Sequence, residues 1–189
     1  MNLNNFKKEW EKTYKDLPPI SYILRENIKD HWFRIHSLPD SKRYAENEKK
    51  TEIILERHND IATEVLGLDE DCLIIIGLHG GKKNQIKIDY SWSNNLNFVY
   101  FGETKIEENP DFFIFQYASF EKWKKNKFDT ILLDVANFKT GPVMFINTKN
   151  LNIYAPYDGG SDIFIPDPTK KENSRLKYKN WLSNHPEGL

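Results

Sequence analysis

The residues best suited to chemistry lie in the stretch Tyr154 to Pro166, which reads Tyr-Ala-Pro-Tyr-Asp-Gly-Gly-Ser-Asp-Ile-Phe-Ile-Pro. It sets an Asp-Gly-Gly turn between two apolar runs and places carboxylates at Asp158, Asp162 and, just beyond, Asp167. An Asp-Gly pair signals a tight hairpin turn with positive φ. In an unbulged strand, Asp158 and Asp162 share a face because side chains alternate. Two such carboxylates can hold a divalent cation or divide acid and base roles. A calcium loop needs more oxygen ligands at fixed spacing than this block offers. The plainer reading is a turn followed by a cap.

A second candidate is His31-Trp-Phe-Arg-Ile-His36. As a strand it puts Trp32, Arg34 and His36 on one face, with Phe33 and Ile35 on the other. His31 and His36 then point to opposite faces and cannot share a metal. Arg34 and His36, with Asp40, Ser41, Lys42 and Arg43 beyond, form a mostly basic rim able to hold an anion through charge-assisted hydrogen bonds. The competing reading is a structural ion-pair network with Asp158 or Asp162. The candidate binding group is therefore Arg34, His36, Arg43, Asp158 and Asp162. If the group catalyses, Asp158, Asp162 and His36 are the acid–base candidates. No metal set and no cofactor signature is recognised.

Three other features carry less. Gly80-Gly81-Lys82-Lys83 follows an apolar run but lacks the spaced first glycine and the Ser/Thr of a phosphate loop, and the residues after it read as strand. Cys72 and His79 are a nucleophile–base pair in type only. Seven extended residues at about 3.3 Å each hold them roughly 23 Å apart. His58 falls on an apolar helical stripe and reads as a satisfied core histidine. Residues 170–179 are locally basic with Tyr178 nearby. A solvated helix face accounts for them better than nucleic-acid binding.

The elements that must position these groups are legible from spacing. Leu3, Phe6, Trp10 and Tyr14 mark an amphipathic helix over 3–15, ended by Leu17-Pro18-Pro19. Ile20–Leu24 reads as a short strand or a helical turn. A long helix over Arg43–Leu66 carries Ile54, His58, Ile61 and Val65 on one stripe, with Asp40 or Ser41 as its cap and Gly67 past its end. Cys72–Leu78 is an apolar run expected as a central strand buried on both faces. Ile86–Trp92 alternates cleanly and predicts a half-buried strand. Phe98–Phe101 and Phe112–Tyr117 come next as strands separated by an acidic loop. Cys72–Tyr117 thus predicts an antiparallel meander. Ser119 is the expected cap of a helix over Phe120–Ala136, interrupted at Lys124–Lys127. Three short strands are expected at 143–146, 151–155 and 161–165. A final helix starts at Asp167-Pro168 and runs towards His185-Pro186.

Composition bounds the class. The chain has 189 residues, enough for a real core in a single domain over 1–189. Aromatics make up 14% and the net charge is −1, so a packed fold is expected, with no nucleic acid and no membrane as partner. The single cysteine excludes an intramolecular disulfide. No stretch reads as a signal peptide or membrane span, so a cytoplasmic protein is expected. The fold class is α+β: a mainly antiparallel sheet, arranged as a meander, with helices packed on one face.

Two blocks carry a resemblance. They are His31-Trp-Phe-Arg-Ile-His-Ser-Leu-Pro-Asp-Ser-Lys-Arg-Tyr44 and Tyr157-Asp-Gly-Gly-Ser-Asp-Ile163. Together the chain resembles a family of small bacterial proteins, a domain of unknown function. In that family an Arg-containing strand precedes a long helix, and a Tyr-Asp-Asp-Arg-Gly-x-Asp type block precedes the C-terminal helix. Gly159 and Gly160 stand where the related block has Asp and Arg. The resemblance implies a bacterial cytosolic protein and supplies no activity. Proteins of this size and class often neutralise secreted toxins. The functional expectation is a non-enzymatic protein-binding module, an immunity protein whose partner is a toxin. The alternative is a small hydrolase or phosphate-binding enzyme using Asp158, Asp162, Arg34 and His36.

Overall fold

The computed structural model describes residues 1–106 and 109–183. In chain order its helices are α1 (Leu3–Tyr14), α2 (Ser21–Asn27), α3 (Glu48–Leu66), α4 (Asp129–Ala136) and α5 (Pro168–Lys177). Its strands are β1 (Trp32–His36), β2 (Asp71–Gly80), β3 (Val99–Ile106), β4 (Asn109–Lys122), β5 (Val143–Asn147), β6 (Ile153–Tyr157) and β7 (Gly160–Phe164). The strands form one seven-stranded sheet in the order β1-β7-β6-β5-β2-β4-β3. Every neighbouring pair is antiparallel. The α+β class with an antiparallel sheet holds.

Two details of the arrangement change. Cys72–Tyr117 is not a meander, because β2 pairs with β4 and with β5, and β3 lies outside β4 at the sheet edge. The true meander is β5-β6-β7. Helices also cover both faces. Strand β2 is apolar on both sides, as its unbroken run requires. Cys72, Ile74 and Ile76 join a core with Ile61 and Val65 of α3 and Leu132 of α4. Leu73 and Ile75 join a second core with Phe6, Trp10 and Tyr14 of α1 and Leu24 of α2. A sheet apolar on both faces leaves exposed hydrocarbon unless both are covered. Tyr14 anchors the second cover by donating its hydroxyl to the Leu151 carbonyl at 2.7 Å.

Three segments depart from the sequence expectation for identifiable reasons. Residues 86–90 are not a strand, although their alternation is used. They drape over the sheet, with Ile88 and Tyr90 against the core and Trp92 buried, its indole N–H donated to Asp134 at 3.0 Å. A period of two marks extended chain with one buried side; ladder bonds need a partner that the period does not specify. The helix expected over 120–136 is confined to α4, and β4 continues through Ser119 to Lys122 opposite Asp71. Trp123 and Phe128 stack at 5.5 Å across the turn, so apolar residues at helical spacing serve a strand–turn–helix instead. The long helix starts at Glu48, capped by Asn47, which accepts from the Lys50 N–H at 3.1 Å. Asp40 and Ser41 cannot cap it, because both hold left-handed backbone (φ 59° and 55°) in the preceding loop.

Other expectations hold. Gly67 ends α3 at φ 82°, and Asp167 caps α5 by accepting from the Lys170 N–H at 2.9 Å. Of residues 20–24, the last four are helical, within α2, and Ile20 precedes the helix as its extended N-cap. His185-Pro186 and part of the acidic loop between β3 and β4 lie outside the described residues. Among the described residues, no helix is long and apolar enough to cross a membrane.

Candidate functional site

The β1–β7 ladder decides the site. Its register sets Arg34 directly opposite Asp162 and His36 opposite Gly160. Phe33 and Ile35 go into the α3-side core, as expected. Trp32, Arg34 and His36 therefore face the other side, where Trp32 packs against the core formed with α1 and α2. Arg34 donates from Nε to Asp162 Oδ1 at 2.8 Å and from Nη2 to Oδ2 at 3.0 Å, a bidentate fork. The Trp32 indole adds a third donor to Oδ1 at 2.8 Å. The two charged side chains are only 12% and 4% exposed. The Tyr157 ring lies 4.4 Å from the guanidinium carbon and closes the outer side. Burial works against the charge on Arg34, but the hydrogen bonds and charge of Asp162 outweigh it and raise its pKa.

Asp158 does not share this pair. It lies in the β6–β7 turn and accepts from the Tyr44 hydroxyl at 3.2 Å, with Arg43 Nη1 at 3.8 Å. Asp158 also adds its field to Arg34, so the two carboxylates flank one guanidinium without acting as a dyad. Arg43 and Tyr44 are well exposed, at 67% and 56%. His36 sits between these layers. Burial and then the neighbouring Arg34 charge hold its ring below the usual histidine range, against the Gly159 backbone, which favours the charged form. Its carbonyl accepts from Arg57 Nη1 at 3.0 Å.

The turn glycines are needed for a different reason than the sequence suggested. Neither Gly159 nor Gly160 takes positive φ. A Cβ on Gly160 would sit 1.9 Å from the Ile35 carbonyl oxygen, and one on Gly159 would sit 2.9 Å from the Tyr157 ring. Close backbone approach is what requires glycine here.

The five candidate residues, Arg34, His36, Arg43, Asp158 and Asp162, thus come together as a layered group: a buried fork, a histidine and an exposed rim. Trp32, Tyr44 and Tyr157 complete it and were not singled out. Trp32 was detectable from its place on the same strand face as Arg34. The other expectations fall elsewhere. His31 precedes β1 in a short helical turn. Cys72 is buried, its thiol pushed up to about 12 by burial, while His79 is exposed at the far end of β2. His58 is a core residue whose Nδ1 lies 2.6 Å from the Tyr154 hydroxyl and 3.1 Å from Ser161 Oγ, while its buried Nε2 has no hydrogen-bond partner among the described residues, so the expected satisfaction is only half met. Burial holds its pKa down at about 4. Three basic groups of α5 are engaged, Lys177 with Glu64 at 2.5 Å, Arg175 with Glu172 at 3.3 Å and Lys171 with the Asp30 carbonyl at 2.8 Å.

The chemistry available to the fork is limited. Asp162 spends both oxygens on three N–H donors, which occupy the positions a base would use. The more pronounced clefts are lined by other residues, for example Asp60, Glu64 and Trp181 beside α3, or Trp92, Phe128 and Ile131 beside α4. Among the described residues, no three or more of His, Cys, Asp and Glu converge on a metal position.

Fold and site together define an antiparallel α+β protein with a clamped sheet edge. The sequence profile of a family described as a domain of unknown function, DUF3885, matches residues 20–186, and the chain belongs to that family. The match starts beyond α1. Comparisons with curated proteins and with solved structures gave no match.

Proposed function

We propose that this chain is a non-enzymatic protein-binding module of the bacterial cytosol, acting as an immunity protein that neutralises a toxin. The observation that carries the binding reading is the division of labour at the β1–β7 edge. The buried carboxylate is saturated by Arg34 and Trp32, while Arg43 and Tyr44 stand exposed above it. Arginine and tyrosine on a rigid support are the side chains most often found as interface anchors. The fork holds β1 against β7, and the rim meets the partner.

The test is co-purification with the product of the neighbouring gene, with growth rescue when that product is toxic. Arg43→Glu and Tyr44→Ala should abolish both with the circular-dichroism spectrum unchanged. Turnover of a phosphoester that is lost in Asp162→Asn, with the fold intact, would overturn the reading in favour of an enzyme.

A further inference from the structure

The opposite end of the sheet has the reverse character. There the segment after β2 folds back towards β3 and β4, with Lys83 over the Tyr100 ring. Between them lies a groove of about 660 Å³. Its floor is Phe113, Phe115 and Tyr117 of β4, and its wall is Lys82 and Lys83 of the Gly80-Gly81-Lys82-Lys83 turn. Phe115 is buried and Tyr117 half-buried, so the floor is a fixed aromatic surface. Among the described residues neither lysine meets a carboxylate. Lys83 lies over the Tyr100 ring, 3.1 Å from its centroid. The one carboxylate on the wall, Glu103, is engaged by the Tyr100 hydroxyl at 2.8 Å. Lys105, opposite Phe113 in the β3–β4 register, adds another exposed cation beside the groove.

Several lysines elsewhere in the chain sit in ion pairs, as with Lys122–Asp71 at 2.9 Å, Lys125–Asp60 at 2.7 Å and Lys149–Glu70 at 2.5 Å. Among the described residues, Lys82 and Lys83 are left without an anion directly above an aromatic floor. A carboxylate brought to them completes a charge pair, and an apolar side chain beside it covers the rings. The chain is near neutral overall and the cations cover only one short groove, which suits a short acidic segment better than a nucleic-acid backbone.

We propose that this groove is a binding site for an acidic peptide segment carrying aromatic or apolar side chains, with Lys82 and Lys83 pairing its carboxylates and Phe113, Phe115 and Tyr117 taking its side chains. The site lies at the far end of the sheet from the Arg43–Tyr44 rim and stands independently of it. The probe is a blocked peptide alternating glutamate and phenylalanine, titrated onto the full chain by heteronuclear NMR at low salt. Shifts should map to Lys82, Lys83 and β4, weaken with added salt, and lose about tenfold or more in affinity in Lys82→Glu/Lys83→Glu. Arg43→Glu should leave them unchanged. Equal binding of the lysine-for-glutamate peptide would overturn the proposal. So would binding of an oligothymidylate in place of the peptide, or no peptide binding together with a dimer that Lys83→Glu dissociates. Phe115→Leu keeps the floor apolar and tests the aromatic contribution if the charge-reversal pair folds poorly.

Discussion

The two ends of the sheet are built from similar residues and use them oppositely. At the β1–β7 end, the charges of the ladder and its turn are met: Arg34 by Asp162, and Asp158 by Tyr44 and Arg43. The same end is polar on its other face too, where Tyr154 and Ser161 both meet His58 Nδ1 inside the core. At the β3–β4 end, Phe113 and Tyr117 are only half-buried, and no described carboxylate meets Lys82 or Lys83. The difference reflects cover. Both faces of the first end are enclosed, so an unpaired charge there is costly and the fold supplies partners. At the second end Lys82 and Lys83 are exposed, so water solvates a lone ammonium and nothing compels pairing.

That contrast can be broken experimentally, and the largest effect belongs to the fork. Asp162→Ala strands a mostly buried guanidinium and should cost about 3–5 kcal/mol in urea unfolding. Arg34→Met with Asp162→Leu removes both charges and should recover most of it. A loss below about 1 kcal/mol in the single variant would mean that the fork is not what closes this edge.

Acid should open the closed end from its other face. His58 titrates near 6.5 when unfolded and about 4 when folded, so between those values the unfolded chain binds more protons. Stability is then full above pH 6.5 and falls by about 3 kcal/mol as pH drops towards 4. His58→Gln should flatten that window, which chemical denaturation across it would reveal. A slope that survives the substitution would assign the acid sensitivity elsewhere.

Glycine substitution compares the ends directly. Gly160→Ala drives a methyl into the Ile35 carbonyl, and β1 must move, at roughly 1–3 kcal/mol. Gly81→Ala meets its nearest atom, the Asp111 carbonyl oxygen, at 3.4 Å and should be close to neutral in thermal melts. Similar losses at the two positions would erase the distinction. The smallest effects are expected from Arg43→Glu and Lys83→Glu, both exposed. Neither should shift the melting temperature measurably, yet each should remove a different ligand.

Much of this could be read along the chain. The alternation of Trp32 to His36, the two-sided run at β2, the α3 stripe through His58 and the Asp167-Pro168 start all depend on residues within a few positions of one another. The failures share one cause. Ile86–Trp92 and Phe120–Ala136 carry genuine periodicities, yet the partner that makes one stretch a ladder strand and another a covering loop lies far off. Glycine at 160 looked like turn chemistry because the Ile35 carbonyl it must admit comes from a distant strand.

Although the last helix stops at Lys177, short of the expected His185-Pro186, the sequence by itself determined which side of each element is apolar, that α3 stops at Gly67, and that Arg34 and His36 face away from the core. These features arise from local sterics and from hydrophobic burial, which act on neighbouring residues. Only the tertiary structure decided that β7 lies beside β1, in the one register that sets Arg34 against a carboxylate 128 residues away. A one-residue slip would turn Asp162 to the opposite face. Pairing across that distance is selected by the whole packed sheet, and no local pattern encodes it.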